Sequence, residues 1–298
     1  MAISVAALAD LALPVVVSIG RPRLLPWTSR AGSGRAGAFR PRCPESDVIR
    51  PALPLLAVFL TPLLALATPA RAVVGGTEAP DGAPARSSVM VLSSRGGVCT
   101  GIVLARDVVL TAAHCAAPGA EHRVHFRDEA GAPVLLGVAA RAVHPGYDAG
   151  AIAGRRRSID LALLRTEAAL PARFVPASLT EAPTAAGTPL TLGGYGVARP
   201  GDHRSTGTFR TATLPVVELY GPSRILVWLK GATASGACEG DSGGPVVGAG
   251  GGVLAVTTWA SGTGKAACGG VSQGVLVGPQ RAWIDRTTAA WGAPARWE

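Results

Sequence analysis

The run Gly-Asp-Ser-Gly-Gly-Pro at residues 240–245 is the most informative stretch of this sequence of 298 residues. It places Ser242 among three glycines, which let the backbone turn tightly and bring neighbouring N–H groups toward one point. A run of this composition could also be an ordinary turn. Its meaning therefore depends on what the rest of the chain supplies.

Two further motifs precede this run. LTAAHC at residues 110–115 places His114 after an apolar segment, and SIDLALL at residues 158–164 places Asp160 inside another. Taken singly, the histidine could be structural and the aspartate could cap a helix. The occurrence of all three motifs in one chain makes a shared role the better interpretation.

Serine, histidine and aspartate together form a system for nucleophilic catalysis. A serine hydroxyl is a weak nucleophile and needs an adjacent base to accept its proton. Imidazole titrates near neutral pH, and a desolvated carboxylate fixes its tautomer and stabilises the imidazolium. The sequence therefore predicts His114, Asp160 and Ser242 as catalytic residues, with the backbone N–H groups of Gly240 and Ser242 as an oxyanion hole.

The same motifs resemble those of the trypsin/chymotrypsin family of serine proteases. The resemblance includes VVGGTEA at residues 73–79 and CTGIVLARDVVLTAAHC at residues 99–115, and it extends over residues 73–298. It implies an all-β fold of two packed six-stranded antiparallel β-barrels, with the catalytic residues at their junction. It also implies that the substrates are polypeptides and that the activity is that of a serine endopeptidase.

The domain organisation follows from this resemblance. Residues 73–298 are expected to form one protease domain, with the first barrel at about 73–166 and the second at about 190–278. The proline-rich stretch between them is expected to be a connector. Pro279–Trp291 predicts a short terminal helix, because a proline stands near its start and apolar residues recur on one face.

Four of the five cysteines lie in the expected protease domain, and Cys43 precedes it. Four cysteines can pair in three ways, although a hairpin turn between Cys99 and Cys115 could bring those two together. The resemblance implies the bridges Cys99–Cys115 and Cys238–Cys268. The lack of the further bridges that are common in vertebrate relatives resembles the bacterial secreted members of the family.

The N-terminal part has the pattern of a targeting segment. Residues 52–68 form an uncharged apolar run, and Ala70 and Ala72 supply the small residues of a signal-peptidase site. The alternative is a membrane anchor, but the run contains two prolines and is shorter than the ~20 residues that span a bilayer. We therefore predict a signal peptide at residues 48–72, secretion to an extracellular or periplasmic location, and a mis-assigned extension at residues 1–47.

The resemblance also implies how the site becomes active. In this family a newly exposed N-terminal amine pairs with the aspartate that precedes the catalytic serine, and the matching residues here are Val73 and Asp241. The residue before Val73 is Ala72, whereas relatives are usually cut after a basic residue at this position. Signal peptidase would free Val73 directly, so we predict that there is no zymogen stage.

The substrate pocket is placed by the same resemblance. Its floor and walls would be formed by Gly236, Thr258, Trp259, Ala260 and Gly274. None of these residues carries a charge, so we expect a preference for an uncharged apolar P1 side chain, the one next to the attacked carbonyl. The hydroxyl of Thr258 is expected to support the catalytic aspartate.

The net charge of +9 gives little support for a nucleic-acid partner, because residues 1–72 hold eight arginines and only three acidic residues. The triplet Arg155-Arg156-Arg157 is the main basic cluster outside that segment and is expected to be a solvated loop. The histidines lack metal-ligand spacing. We expect no metal, no cofactor, no nucleic acid, no membrane association after signal cleavage, and a monomer.

Two other functions remain open from the sequence. The first is a non-catalytic member of the family, a binding or regulatory protein that keeps the barrels without the chemistry. The second is a membrane-tethered protease, which would keep residues 52–68 attached. The complete set of catalytic residues and glycines favours an active enzyme over the first alternative.

Overall fold

The computed structural model describes residues 73–154, 156–219, 221–262 and 267–298, and all of them belong to a single compact unit. The predicted extension and signal peptide lie outside the described residues, as does Cys43. No helix within the described part of the chain is both long and apolar enough to cross a membrane.

The first barrel is closed by six antiparallel strands, in the order β2-β3-β4-β7-β6-β5. Its strands are β2 Ser88–Ser93, β3 Val98–Ala105, β4 Val108–Thr111, β5 His122–Arg127, β6 Pro133–Val143 and β7 Ala162–Thr166. They are rich in valine and leucine, and β5 alternates between buried and exposed positions, as expected for a sheet with one face on a core. Strands β3 and β4 are joined at Arg106-Asp107, the predicted hairpin turn.

The second barrel also has six antiparallel strands, ordered β12-β9-β10-β11-β14-β13, and the pairing of β12 with β13 closes it. Its strands are β9 Pro189–Gly194, β10 Arg210–Val217, β11 Leu226–Lys230, β12 Pro245–Val247, β13 Val253–Gly262 and β14 Gly269–Leu276. The predicted fold of two six-stranded barrels is therefore confirmed.

Short elements decorate these barrels. The remaining strands are β1 Thr77–Glu78, β8 Ser178–Leu179 and β15 Arg296–Trp297, and the short helices are α1 Ala83–Arg86 and α2 Ala151–Gly154. Strand β1 pairs with β10, so this part of the chain lies on the second barrel and not on the first, where the sequence placed it. Strand β8 lies within the predicted connector and pairs in parallel with β13 and β15.

The terminal helix is α3, Arg281–Ala290, and it follows a 3-10 turn at Gly278–Gln280. Its side chain Ile284 is fully buried among residues from both barrels, such as Leu161 and Val275. Burying one such aliphatic side chain contributes about 1.5–3 kcal/mol. The helix therefore covers the seam between the barrels, at the end of the chain where the sequence predicted it.

Candidate active site

His114 and Asp160 meet because the two strands that carry them are neighbours. His114 lies in a 3-10 turn just after β4, and Asp160 lies two residues before β7. These strands are antiparallel with Thr111 opposite Ala162, so the end of one adjoins the start of the other. The imidazole Nδ1 lies 2.7 Å from Asp160 Oδ2, and the backbone N–H of His114 donates to Asp160 Oδ1 at 2.9 Å.

Both oxygens of the Asp160 carboxylate thus engage the same residue. A carboxylate that accepts from Nδ1 keeps the proton on that nitrogen and leaves Nε2 as the free base. The His114 side chain is 39% exposed and that of Asp160 only 17%, so the imidazole is open to solvent while the carboxylate is mostly buried. This arrangement can accept a proton from a group in the cleft.

Contacts of its backbone carbonyl hold Ser242 against the first barrel, close to the residue that follows His114. Its carbonyl accepts a hydrogen bond from the N–H of Thr100 at 2.8 Å, and it lies 3.8 Å from the Sγ of Cys115, the residue after His114. The next residue, Gly243, has a φ of +85° and packs against Thr100. No hydrogen bond joins Ser242 Oγ to His114 in the described part of the chain, and such bonds often shorten only when substrate binds.

Two backbone N–H groups near Ser242 point away from the rest of the protein fold. The carbonyl of Glu239 accepts from Val197 at 2.7 Å, and the carbonyl of Asp241 accepts from Gly244 at 2.9 Å. In a trans peptide the N–H points opposite the C=O. The N–H groups of Gly240 and Ser242 therefore face the other side, where they donate to no backbone carbonyl among the described residues.

Asp241 is completely buried, and its carboxylate accepts hydrogen bonds from the N–H groups of Cys238 at 2.9 Å and Gly196 at 2.8 Å. Burial raises its pKa to about 7, although these two N–H groups and the charge of Arg210 act in the opposite direction. Within the described residues it forms no ion pair. A buried carboxylate in this state is stabilised by any cation that reaches it.

Val73 is also completely buried, and its neighbour Val74 pairs with Gly236 through a backbone hydrogen bond of 2.9 Å. The start of the predicted protease domain therefore lies against the segment that leads to Asp241. Val73 has a φ of +46°, in the left-handed region that β-branched residues avoid.

The pocket residues are only partly where the sequence placed them. Gly236 is buried, and a Cβ built on it would lie 2.7 Å from Ser272 Oγ. Ser272 is itself buried, pairs with Ala260 across β13 and β14, and accepts from the N–H of Ala237 at 2.8 Å. Ser272 therefore stands next to the predicted floor, a position that motif counting missed.

The structure does not place Gly274 in the wall of the pocket. It pairs with Thr257, and a Cβ built on it would meet Ala255 and Val227 in the core of the second barrel. The predicted role of Gly274 is therefore wrong. The reason is the strand register, because Gly274 lies opposite Thr257, three residues before Ala260, whose partner on β14 is Ser272.

Thr258 also has a different partner from the one expected. Its hydroxyl accepts a long hydrogen bond of 3.5 Å from Gln273 Nε2, and Gln273 Oε1 accepts from Trp228 Nε1 at 3.2 Å. Among the described residues it makes no hydrogen bond to Asp160. These three side chains form part of the wall of a cleft of about 950 Å³ that also contains His114 and Asp160.

Both expected disulfide bridges are present. Cys99–Cys115 ties β3 to the turn that carries His114, and Cys238–Cys268 ties the segment before Ser242 to the start of β14. Cys99, His114 and Cys115 are the one group of three potential metal ligands in the described part of the chain, but the two cysteines are bonded to each other. Their sulfurs are therefore not available as thiolate ligands.

Comparisons with known proteins agree with this geometry. The sequence model of the family described as Trypsin matches residues 73–284. Human kallikrein-8 is 27% identical over 180 residues, covering 55% of this chain and 67% of the relative. Trypsin alpha of Drosophila erecta is 28% identical over 205 residues, covering 63% and 77%.

Solved structures agree on the fold. Neuropsin, described as a serine protease expressed in the limbic system of mouse brain, has a TM-score of 0.61 and 21% identity, covering 72% of this chain and 100% of neuropsin. These three relatives are animal proteins and do not support the bacterial type that the small number of cysteines suggested.

Proposed function

The chain belongs to the trypsin family, and from that premise we propose that it is a secreted, monomeric serine endopeptidase that acts through an acyl-enzyme on Ser242. One observation carries this proposal. The carboxylate of Asp160 holds His114 through two hydrogen bonds, and the carbonyl oxygen of Ser242 lies 3.8 Å from the Sγ of Cys115, the residue after His114. A non-catalytic protein has no need of this arrangement.

In the proposed reaction, His114 Nε2 accepts the proton of Ser242 as its Oγ attacks the peptide carbonyl carbon. The oxyanion receives hydrogen bonds from the N–H groups of Gly240 and Ser242, and losing one such donor typically costs about 2.7–4 kcal/mol. The C–N bond breaks as the imidazolium returns the proton to the leaving amine. Water then attacks the ester by the same route and releases Ser242.

Strand geometry supports an extended polypeptide as the substrate. Strand β13 pairs with β12 only as far as Val256, so one edge from Thr258 to Gly262 has no strand partner in the described part of the chain. Such an edge can bind a peptide by strand addition, with main-chain hydrogen bonds giving affinity and pockets giving specificity.

The proposed P1 preference is for an uncharged apolar side chain of limited length. Gly236 and Ser272 bear no charge, and the hydroxyl of Ser272 lies close enough to Gly236 to shorten the pocket. A buried charge without a partner is strongly unfavourable, so arginine and lysine side chains would bind poorly there.

Activation by signal peptidase alone completes the proposal. The family match begins at Val73, the residue that cleavage after Ala72 would expose. Val73 is buried near the segment that leads to Asp241, and burial of the Asp241 carboxylate raises its pKa, while no described residue forms an ion pair with it. The new amine would supply that partner and order the Ser242 turn.

The test is to express the full chain in a secreting host, purify the product from the medium and sequence its N-terminus. The product and a Ser242→Ala control are then incubated with a denatured proteome, and the cut sites are mapped. We expect a start at Val73 and cuts after uncharged apolar residues. Equal cutting by the control overturns the mechanism, cuts after arginine or lysine overturn the pocket, and another start in the active form overturns the activation.

A further inference from the structure

The substrate cleft continues into a second cavity, of about 690 Å³. Arg157, Ile225, Leu226 and Trp228 line both cavities, so they form the ridge between them. Ile152, whose side chain is 70% exposed, adds an apolar surface to the cleft. A peptide that extends from the catalytic residues past Trp259 would therefore contact apolar side chains and also the charged side chain on the ridge.

The two cavities carry an excess of positive charge. Arg156 donates to Asp148, with an ion-pair distance of 2.7 Å, and Asp160 is engaged by His114. Arg157 and Arg224 are exposed, and neither forms an ion pair within the described residues. The cleft and its continuation therefore present two cations without a protein partner.

In the proposed binding mode, a substrate reaches this region on the acyl side of the scissile bond. Its P1 side chain would enter beside Gly236 and Ala260, and the preceding residues would extend along the edge of β13 past Trp259, which lines the cleft. The leaving-group side would lie toward the Cys99–Cys115 bridge next to His114. The side chains that meet Arg157 are thus those several residues before the cut.

We propose that Arg157 and Arg224 bind an acidic side chain of the polypeptide substrate two or more residues before P1, so that the enzyme selects segments with Glu or Asp at that distance. This specificity rests on the proposed endopeptidase function. Arg157 lies three residues before Asp160, so the chain that positions the catalytic carboxylate also positions this cation. Arg156 in the same triplet has a different role, since it is neutralised by Asp148.

The experiment uses the processed enzyme from the secretion medium and quenched fluorescent peptides with a fixed P1 residue. Positions P2 to P4 are scanned with Glu, with its uncharged analogue Gln, and with Lys. We expect Glu to exceed Gln by roughly two- to fivefold in kcat/KM at one of these positions, the range of solvent-exposed ion pairs. The ratio should fall toward one as NaCl is raised, because salt screens exposed charges.

Variants assign the effect to the two arginines. Arg157→Gln and Arg224→Gln should each lower the Glu-to-Gln ratio, and the double Arg157→Glu/Arg224→Glu variant should favour Lys. Arg286→Gln is the matched control, because Arg286 is exposed on α3 and has no ion pair in the described residues. A preference for Glu that persists in the double variant, or equal cleavage of Glu and Gln peptides by the parent enzyme, overturns the proposal.

A measurement of peptide binding tests the acidic subsite independently of the proposed endopeptidase activity. Fluorescence anisotropy of the same labelled Glu and Gln peptides with the Ser242→Ala variant reports affinity without turnover. Tighter binding of the Glu peptide by this variant, lost in Arg157→Gln, supports the acidic subsite even if the parent enzyme cleaves nothing. Equal binding of both peptides together with normal cleavage by the parent enzyme counts against the subsite alone.

Discussion

The two barrels hold their halves of the active site in different ways. In the first barrel, His114 and Asp160 lie at the ends of directly paired strands, and the pair is complete within that barrel. In the second, Ser242 lies in a turn built around the buried carboxylate of Asp241, which has no cationic partner among the described residues. The first half is fixed by regular strand pairing, whereas under the proposed activation the second half would depend on the amine that cleavage after Ala72 frees.

The largest effect should come from removing the nucleophile in one half or the base in the other. Ser242→Ala and His114→Ala should each lower kcat about a million-fold, because nucleophile and base act as one unit. The double variant should be no slower than either single variant. Steady-state kinetics with a peptide anilide measures this, and a further large loss in the double variant would show that the residues act independently.

The pH dependence of the free energy of unfolding tests the second half, the Ser242 turn around Asp241. In the uncleaved chain the pKa of Asp241 is raised to about 7, compared with about 3.9 in an unfolded chain. The folded state therefore holds this proton more tightly, so the free energy of unfolding should fall as pH rises from about 4 to about 7, by up to roughly 4 kcal/mol. Under the proposed activation the processed chain should lose much less, because the Val73 amine would pair with the carboxylate.

Urea titrations of the refolded full-length Ser242→Ala chain and of its processed form provide the measurement. The control is Asp241→Asn in the uncleaved background, which removes the titrating group while keeping the shape of the side chain. Parallel pH profiles for the uncleaved chain and this control would contradict the assignment to Asp241.

A substitution at Val73 should have a smaller effect and should weaken only the second half of the site, the Ser242 turn. Val73→Gly removes a fully buried side chain worth about 2 kcal/mol, so kcat/KM should fall roughly thirtyfold. The NMR signal of the proton on His114 Nδ1, which reports the hydrogen bond to Asp160, should stay as in the parent enzyme, because the first barrel is untouched. Val73→Ile should keep most of the activity, and an equal loss in that variant would show that burial of this side chain is not the cause.

The smallest expected effect concerns the pocket. Ser272→Gly removes the hydroxyl beside Gly236 and should shift the P1 optimum toward longer side chains, by about tenfold in relative kcat/KM. Profiling with P1-varied peptides tests this. Gly274→Ala is the contrasting variant, since its methyl group would point into the barrel core and should lower stability without changing the P1 order. A shift of the P1 order by Gly274→Ala would restore the original interpretation.

Short contiguous motifs pointed to the candidate catalytic residues from sequence, and the structure joins His114 to Asp160 by two hydrogen bonds. The chemistry proposed for His114, Asp160 and Ser242 needs particular residue types with particular neighbours, and such short motifs can be recognised in the sequence. The pocket was less predictable, because Gly274 lies opposite Thr257, and a register shift between Thr257 and Trp259 then sets Ala260 opposite Ser272. Bulges of this kind depend on how strands pair and leave little trace in residue spacing.

Side-chain partners were also hard to predict. The hydroxyl of Thr258 is bonded to Gln273 and not to Asp160, and this follows from the position of Gln273 on the neighbouring strand. The cleft charges were missed for a related reason. The basic triplet looked uniform in sequence, but only the fold shows that Arg156 is paired while Arg157 lies on the ridge between two cavities.

The left-handed backbone of Val73 couples folding to maturation. Its φ of +46° is defined by the bond to residue 72, and such a conformation costs a β-branched residue on the order of 1–3 kcal/mol. Hydrolysis of that bond abolishes the torsion, so the folded state gains stability at the moment of cutting. By thermodynamic reciprocity, the same fold makes the cut form the favoured end of the processing reaction. Under the proposed maturation, a chain that is cut before it folds would never adopt this torsion, so cleavage before folding would avoid its cost.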